Sequence, residues 1–404
     1  MSSVVIIGAS HAAAEAISTL KKKGYAGSVT LIGDEPYLPY QRPPLSKKYL
    51  NGEMTLDQLY IKGPAMYDEY GVVQKLGVLA ERLDRTNKVV ELSDNSELTY
   101  EHLILATGTR ARELPVPGAQ DQRIRYLRTK DDVDAIQGAL SSESRVLIIG
   151  AGYIGLEVAA SATQLGCQVT VLEAMDRVLQ RVTGPEMSTF YQGVHADHGV
   201  DLRLDTAVKE FVTEGNSIAA VLGDESQIEF DLAVVGIGVI PNTELAESAG
   251  LECDNGIVVD EYCQTQDRSI YAVGDCSNHP SFIYERRLRL ESVPNAMGQA
   301  KTAALHICGD PKPYDEVPWF WSDQYDVKLQ TAGLSQGYDQ VVLRGDMAAR
   351  KFSVFYLDRG RLLAVDAINS PAEFMIAKKL VATRAQPDPN QLADSEISIK
   401  SLVA

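Results

Sequence analysis

The stretch Arg145-Val146-Leu147-Ile148-Ile149-Gly150-Ala151-Gly152-Tyr153-Ile154-Gly155-Leu156-Glu157 decides how this chain folds. An apolar run of strand length turns at a glycine and leads into helix-forming residues, and a complete GxGxxG fills the turn. In that setting the first glycine makes the tight turn, the second lets the backbone approach a pyrophosphate, and the third allows close helix–strand packing. The helix N-terminus offers free N–H groups and a positive dipole end to phosphates. A second apolar run, Gln168-Val169-Thr170-Val171-Leu172, ends at Glu173, 23 residues after Gly150. A carboxylate there accepts hydrogen bonds from both ribose hydroxyls and repels a 2′-phosphate, so NADH is expected rather than NADPH.

The same pattern stands 142 residues earlier. Val4-Val5-Ile6-Ile7-Gly8-Ala9-Ser10-His11-Ala12-Ala13 is again strand, turn and helix start, followed by the apolar run Ser28-Val29-Thr30-Leu31-Ile32. This copy is imperfect. Ser10 and Ala13 replace the second and third glycines, and Gly33 occupies the place of Glu173, with Asp34 and Glu35 just beyond. Two copies of strand–helix–strand imply two parallel sheets, each a nucleotide-binding unit.

Further strands are expected at Lys88–Leu92, Leu103–Ala106, Leu232–Val235 and Ile270–Val273. From about Val317 the pattern changes. Trp319-Phe320-Trp321 holds both tryptophans, and alternating runs such as Phe352–Tyr356 predict antiparallel strands, with a helix over Pro371–Arg384. The fold class that follows is α/β: two Rossmann-like dinucleotide-binding domains plus a C-terminal α+β domain. The expected boundaries are 1–110 and 242–315 for the two parts of the first domain, 111–241 for the second, and 316–404 for the third.

Composition narrows the function classes. The 404 residues carry 38 Lys and Arg against 55 Asp and Glu, a net charge of −17. Such a chain repels phosphate backbones and anionic lipids, which argues against nucleic-acid and membrane partners. No apolar run approaches the ~18 residues of a membrane span, and Met1-Ser2-Ser3 is too short to lead a signal peptide. Five scattered cysteines, Cys167, Cys253, Cys263, Cys276 and Cys308, suit a reducing cytoplasm and form neither a disulfide framework nor a zinc motif. His195 and His198 could share a helical face, but no third ligand of suitable spacing follows, and an exposed helix end is expected there. No metal site is expected.

Three further motifs complete a constellation: Tyr40-Gln41-Arg42-Pro43-Pro44-Leu45-Ser46-Lys47, Ala106-Thr107-Gly108, and Tyr271-Ala272-Val273-Gly274-Asp275. With them the chain resembles the FAD-dependent pyridine-nucleotide reductases of glutathione reductase-like fold. More narrowly, it resembles the ferredoxin reductases that serve bacterial Rieske oxygenases and cytochromes P450. The resemblance spans essentially the whole chain, including Pro318–Tyr325.

That resemblance implies the following site. Gly8, Ser10, His11 and Ala12 cradle the FAD pyrophosphate, and Asp34 takes the adenosine ribose. Arg42 and Arg112 contact the adenosine diphosphate, Ala80 faces the adenine, and Ala106, Thr107 and Gly108 line the cofactor. Asp275 holds the ribityl chain. Glu291, Ser292 and Val293 run along the isoalloxazine, with Trp321 beside the ring. NAD is held by Gly150, Gly152, Tyr153, Ile154, Gly155, Glu173 and Gly238, and Glu291 reaches it too. Lys47 and Glu157 are the implied catalytic pair, the lysine on the flavin N5 side and the glutamate holding it from the nicotinamide side. A cation beside a flavin stabilises its reduced, more negative form.

The implied activity takes hydride from NADH onto FAD and passes single electrons to a [2Fe–2S] ferredoxin, with rubredoxin as second choice and a monomer as the default. One alternative is an NADH oxidase or peroxidase using oxygen or peroxide; the thiol-dependent versions need a cysteine near position 42, and none precedes Cys167. Another is a redox interaction protein resembling apoptosis-inducing factor, which shares Arg42-Pro43-Pro44-Leu45-Ser46-Lys47. From Glu316 onward there are ten Lys and Arg against eleven Asp and Glu, so nearly all the acidity lies before the C-terminal domain. An acidic ferredoxin needs a local basic patch, for which Arg286, Arg287, Arg289, Arg344, Arg350 and Lys351 are candidates.

Overall fold

The computed structural model describes residues 2–403. The chain divides into two compact units, one of Met1–Gln41, Leu56–Arg110 and Ile240–Pro318, the other of Arg42–Thr55, Ala111–Val239 and Trp319–Ala404.

In the first unit, apolar Ser3–Ile7 is the middle strand of a five-stranded parallel sheet. The order is Ile270–Ala272, His102–Leu105, Ser3–Ile7, Ser28–Gly33, Val72–Leu76. Strands buried on both faces read as continuous apolar runs, as these do. Helix His11–Lys22 packs against helix Val293–Ile307 on one face. Their facing residues are small, Ala12, Ala13 and Ala16 against Ala300, Ala303 and Ala304, all in one core with Val4, Ile6 and Ile17. The antiparallel strands Ala80–Asp84, Val89–Leu92 and Glu97–Thr99 form a separate three-stranded sheet, whose Leu83, Val90 and Leu92 cover Val5, Ile7, Leu103 and Leu105 on the opposite face.

The second unit repeats the scheme, with Arg145–Ile149 central in the order Asp201–Arg203, Gln168–Leu172, Arg145–Ile149, Leu232–Val235, Ile124–Tyr126. Antiparallel Val208–Glu214, Ser217–Leu222 and Gln227–Phe230 close one face. The C-terminal segment adds a five-stranded antiparallel sheet in the order Trp319–Gln324, Val327–Gly333, Arg361–Ile368, Lys351–Asp358, Gln340–Asp346. Helix Pro371–Ala382 lies on it, starting at the expected proline and ending two residues short of Arg384.

Among the described residues, no helix is long and apolar enough to cross a membrane. All five cysteines are free.

Candidate functional site

The two glycine turns have matching backbones. The first glycine N–H of each donates to the last residues of the neighbouring strand, Gly8 to Ile32 and Gly150 to Leu172, both at 2.8 Å. Both glycines have positive φ, +110° and +101°, and a Cβ would strike backbone, 2.1 Å from the Ala106 oxygen and 2.5 Å from the Gly236 oxygen. A Cβ on Gly155 would lie 2.0 Å from the Gly150 oxygen. These three glycines serve the fold itself.

Gly152 is different. Its φ of −78° suits any residue, and a Cβ would meet nothing within 4 Å. Neither backbone strain nor packing accounts for the missing side chain, and the open space leaves room for a group to approach the backbone closely. Gly152 also begins helix Tyr153–Gln164 without any side-chain cap, leaving the first N–H groups for another acceptor. Ser10 holds the same place before helix His11–Lys22, and its hydroxyl does not cap that helix either. Both helix N-termini fit a bound pyrophosphate.

Beyond each turn the copies part. Glu173 Oε2 accepts the Ala151 N–H at 2.7 Å and Oε1 accepts the Met175 N–H at 3.0 Å, which aims the half-buried carboxylate along the turn. At Gly33 a Cβ would meet the Ala9 Cβ at 2.7 Å, so that side-chain position is already filled. Asp34 is exposed just after it, while Glu35 accepts the Tyr40 hydroxyl at 2.5 Å. Val78 N–H donates to the Gly33 oxygen at 2.9 Å, which brings the chain leading to Ala80 alongside the same strand end.

The remaining first-unit residues cluster at the C-terminal ends of the parallel strands, where open α/β sheets bind ligands. Ala106 N–H donates to the Ile7 oxygen at 2.7 Å, and Val273 N–H donates to the Leu105 oxygen at 3.0 Å. Thr107 is clamped to Asn242 by reciprocal bonds of 2.7 and 2.8 Å. Gly108 and Gly274 both have positive φ. Asp275 lies 3.4 Å from the Thr109 hydroxyl; its carbonyl accepts Arg289, which pairs with Glu291 at 2.7 Å. Ser292 caps helix Val293–Ile307 through the Asn295 N–H. His11 opens its helix. Arg42, Lys47, Arg112 and Trp321 belong to the second unit.

In that unit the pair Lys47–Glu157 is formed, Nζ to Oε2 at 2.6 Å, with the carboxylate side chain 5% exposed. Oε2 also accepts the Ser46 hydroxyl at 2.5 Å, and Oε1 accepts the Ser322 hydroxyl at 2.6 Å. Lys47 Nζ makes a further bond to the Pro43 oxygen at 3.1 Å. Pro43 and Pro44 open a short 3-10 turn, Pro43–Ser46, that sets these donors in place. Arg42 donates to the Arg128 oxygen at 2.6 Å, and Arg112 is exposed with its N–H on the Gly238 oxygen. Gly238 has φ +108°, and the exposed Arg181 guanidinium lies 3.6 Å from where its Cβ would be. Tyr153 packs on Phe320 with centroids 4.5 Å apart, while Ile154 is exposed. Trp321 sits 5.7 Å from Trp319, whose ring carries Lys378 Nζ at 5.0 Å.

Two expectations are corrected. His195 is not at an exposed helix end: helix Pro185–Asp197 turns it inward with Met187, Tyr191 and Val194, and it is wholly buried. Arg344 is not a surface cation. It is 5% exposed and donates to the Leu392, Asp394 and Ile397 oxygens, fastening the C-terminal tail. Arg350 is committed to Asp197 and Asp326. Ser46, Ser322 and Gln324 were not anticipated as site residues, although the strand period of two puts Ser322 and Gln324 on one face. Among the described residues no three His, Cys, Asp or Glu side chains are grouped to hold a metal.

Two Rossmann-like turns, each with an uncapped helix N-terminus, and a buried lysine–glutamate pair define an oxidoreductase that works with two nucleotide cofactors, FAD and NAD(H). The chain belongs to the pyridine nucleotide-disulphide oxidoreductase family, whose model matches residues 2–300, and a reductase C-terminal domain matches 319–403. It is 43% identical to putidaredoxin reductase of Pseudomonas putida, over 99% of this chain and 96% of that one. It is 44% identical to rhodocoxin reductase of Rhodococcus erythropolis, over 100% and 94%. Its fold matches putidaredoxin reductase in the covalent complex with putidaredoxin at a TM-score of 0.97 and 42% identity, covering 100% of this chain and 98% of the other.

Proposed function

We propose that this protein is an NADH-dependent ferredoxin reductase, feeding electrons to a cytochrome P450 or Rieske-type oxygenase through a small iron–sulfur protein. Residues 1–110 and 242–315 hold FAD, 111–241 hold NAD(H), and 316–404 form the C-terminal domain. The observation that carries the reading is Gly152, a glycine that neither conformation nor packing requires, in a turn whose neighbouring carboxylate Glu173 suits an unphosphorylated ribose. The names of two similar relatives support the acceptor: reductases of putidaredoxin and rhodocoxin.

Bound flavin supplies the exchange between a two-electron hydride and single electrons. The chain's own residues bind and orient. The helix starting at Tyr153 takes the NADH pyrophosphate, and Glu173 takes the ribose hydroxyls. Gly8, Ser10, His11 and Ala12 take the FAD pyrophosphate; Asp34, Arg42, Ala80 and Arg112 take the adenosine end. Ala106, Thr107, Gly108, Asp275, Glu291, Ser292, Val293 and Trp321 line the flavin end. The Lys47 ammonium, held by Glu157, favours the reduced flavin electrostatically. The acceptor is a [2Fe–2S] ferredoxin, with rubredoxin second, and the enzyme acts as a cytoplasmic monomer. Arg286 and Lys351 remain as exposed docking candidates, whereas the Arg287 guanidinium is engaged by Val259 and Asn278.

The test is turnover with NADH on added ferredoxin, on oxygen and with NADPH. Ferredoxin with NADH is expected to be fastest by far. Equal turnover on oxygen would favour an oxidase, and a preference for NADPH would overturn the role of Glu173.

A further inference from the structure

The hydroxyl on Glu157 Oε1 is the end of a longer chain. Gln324 Nε2 stands 3.2 Å from Ser322 Oγ, His195 Nε2 stands 2.8 Å from Gln324 Oε1, and the Tyr325 hydroxyl lies 3.4 Å from His195 Nδ1. The ionised carboxylate sets every direction. It can only accept, so Ser322 donates to it; Ser322 therefore accepts from the Gln324 amide N–H, and the Gln324 oxygen accepts from His195 Nε2–H. That leaves His195 Nδ1 to accept from Tyr325. All four donors point toward Glu157, and each polarises the next.

Ser322, Gln324 and His195 are essentially inaccessible to water, so the chain has no solvent to replace a lost partner. Burial holds His195 neutral, with its pKa down to about 4, as this arrangement requires. A second feature points the same way. Tyr325 is the first residue of the two-residue turn between Trp319–Gln324 and Val327–Gly333, with φ +54°. Glycine, asparagine or aspartate would be favoured there. The tyrosine ring instead stacks on His198, with centroids 3.6 Å apart and planes 10° apart, and its hydroxyl, also hydrogen-bonded to the Thr163 side chain, reaches His195.

We propose that Ser322, Gln324 and His195 are positioning residues that hold the Glu157 carboxylate in the one orientation that keeps Oε2 on Lys47. The inference rests on the reading of Lys47–Glu157 as part of the redox machinery. Without the donor on Oε1, the carboxylate is held only through Oε2, by Ser46 and Lys47, and its plane is no longer fixed at both oxygens.

The test uses flavin-loaded protein at rest. Lysines are labelled with an amine-reactive succinimidyl ester, and Lys47 is followed by peptide mass spectrometry, with exposed Lys48 as the internal standard. Gln324→Leu and Ser322→Ala are expected to label Lys47 about tenfold faster, the size of one hydrogen bond to a charged group. His195→Gln, which keeps a donor toward Gln324, is expected to label like wild type, and His195→Leu like Gln324→Leu. The kcat for NADH-driven ferricyanide reduction should fall in the leucine variants while KM for NADH is kept. Unchanged Lys47 labelling in folded Gln324→Leu and Ser322→Ala would overturn the proposal. Faster labelling with unchanged NADH kinetics would uphold the positioning and overturn only the redox reading of the pair.

Discussion

Ser322 donates its hydroxyl proton to Glu157 across 2.6 Å although 165 residues separate them. A strand of the C-terminal sheet thereby completes the coordination of a carboxylate on the helix that follows the NAD-type turn. Glu157 and Lys47 should accordingly behave as one unit.

Lys47→Met leaves a buried carboxylate without its cation, which costs about 3–5 kcal/mol, whereas Glu157→Gln keeps the shape and removes the charge. The single Lys47 variant is expected to be the less stable, and the double variant Lys47→Met/Glu157→Gln to recover much of the loss. Urea unfolding of the three variants measures this; simple additivity would contradict the coupling.

The glycines of the second turn should separate fold from binding. Gly155→Ala forces a Cβ to 2.0 Å from a backbone oxygen and should cost about 1–3 kcal/mol or more. Gly152→Ala has open space and ordinary φ, so its Tm should stay within a degree or two while NADH affinity drops about tenfold. A Gly152→Ala protein that binds NADH normally would remove the main support for a pyrophosphate there.

Asp366 gives a pH signature. Burial raises its pKa to about 6, although the Thr183 and Tyr356 hydroxyls both donate to it. Between about pH 4 and 6 the folded protein holds this proton and the unfolded chain does not, so stability falls as pH rises through that window. The full effect is about 3 kcal/mol. Asp366→Asn should flatten the slope of unfolding free energy over pH 4–6; a slope equal to that of wild type would show that Asp366 is not its source.

Arg344 should affect stability and not docking. Arg344→Met removes the clamp on Leu392, Asp394 and Ile397 and should expose the tail to proteolysis, with KM for ferredoxin unchanged. Lys351→Glu should do the reverse. A raised ferredoxin KM in Arg344→Met with an intact tail would return Arg344 to the docking face.

Much of this was legible in the sequence because it is local. The turns at Gly8 and Gly150 lie where glycine spacing and apolar runs put them, and strands Gln168–Leu172 and Leu232–Val235 match residue for residue. Lys47 and Glu157 were paired in advance only through a family resemblance. The chain behind them was not legible, since Ser46, Ser322, Gln324 and His195 come from separate segments whose convergence is tertiary. A period-two reading of Trp319–Gln324 does flag Ser322 and Gln324, two polar residues on one face of an aromatic strand. The expectation of an exposed helix end at His195 rested on the absence of a third ligand near His195 and His198, which says nothing of which way the ring faces. The helical period from Met187 through Tyr191 and Val194 places it inward.

In the proposed reaction a hydride enters and single electrons leave to a ferredoxin. An anaerobic titration tests it most directly: NADH is added to the purified flavoprotein until its visible absorbance is bleached, and oxidised [2Fe–2S] ferredoxin is then added. Two ferredoxins reduced per NADH, with the flavin absorbance restored, is the expected result. Flavin that bleaches with NADH but recovers only when oxygen is admitted would contradict it.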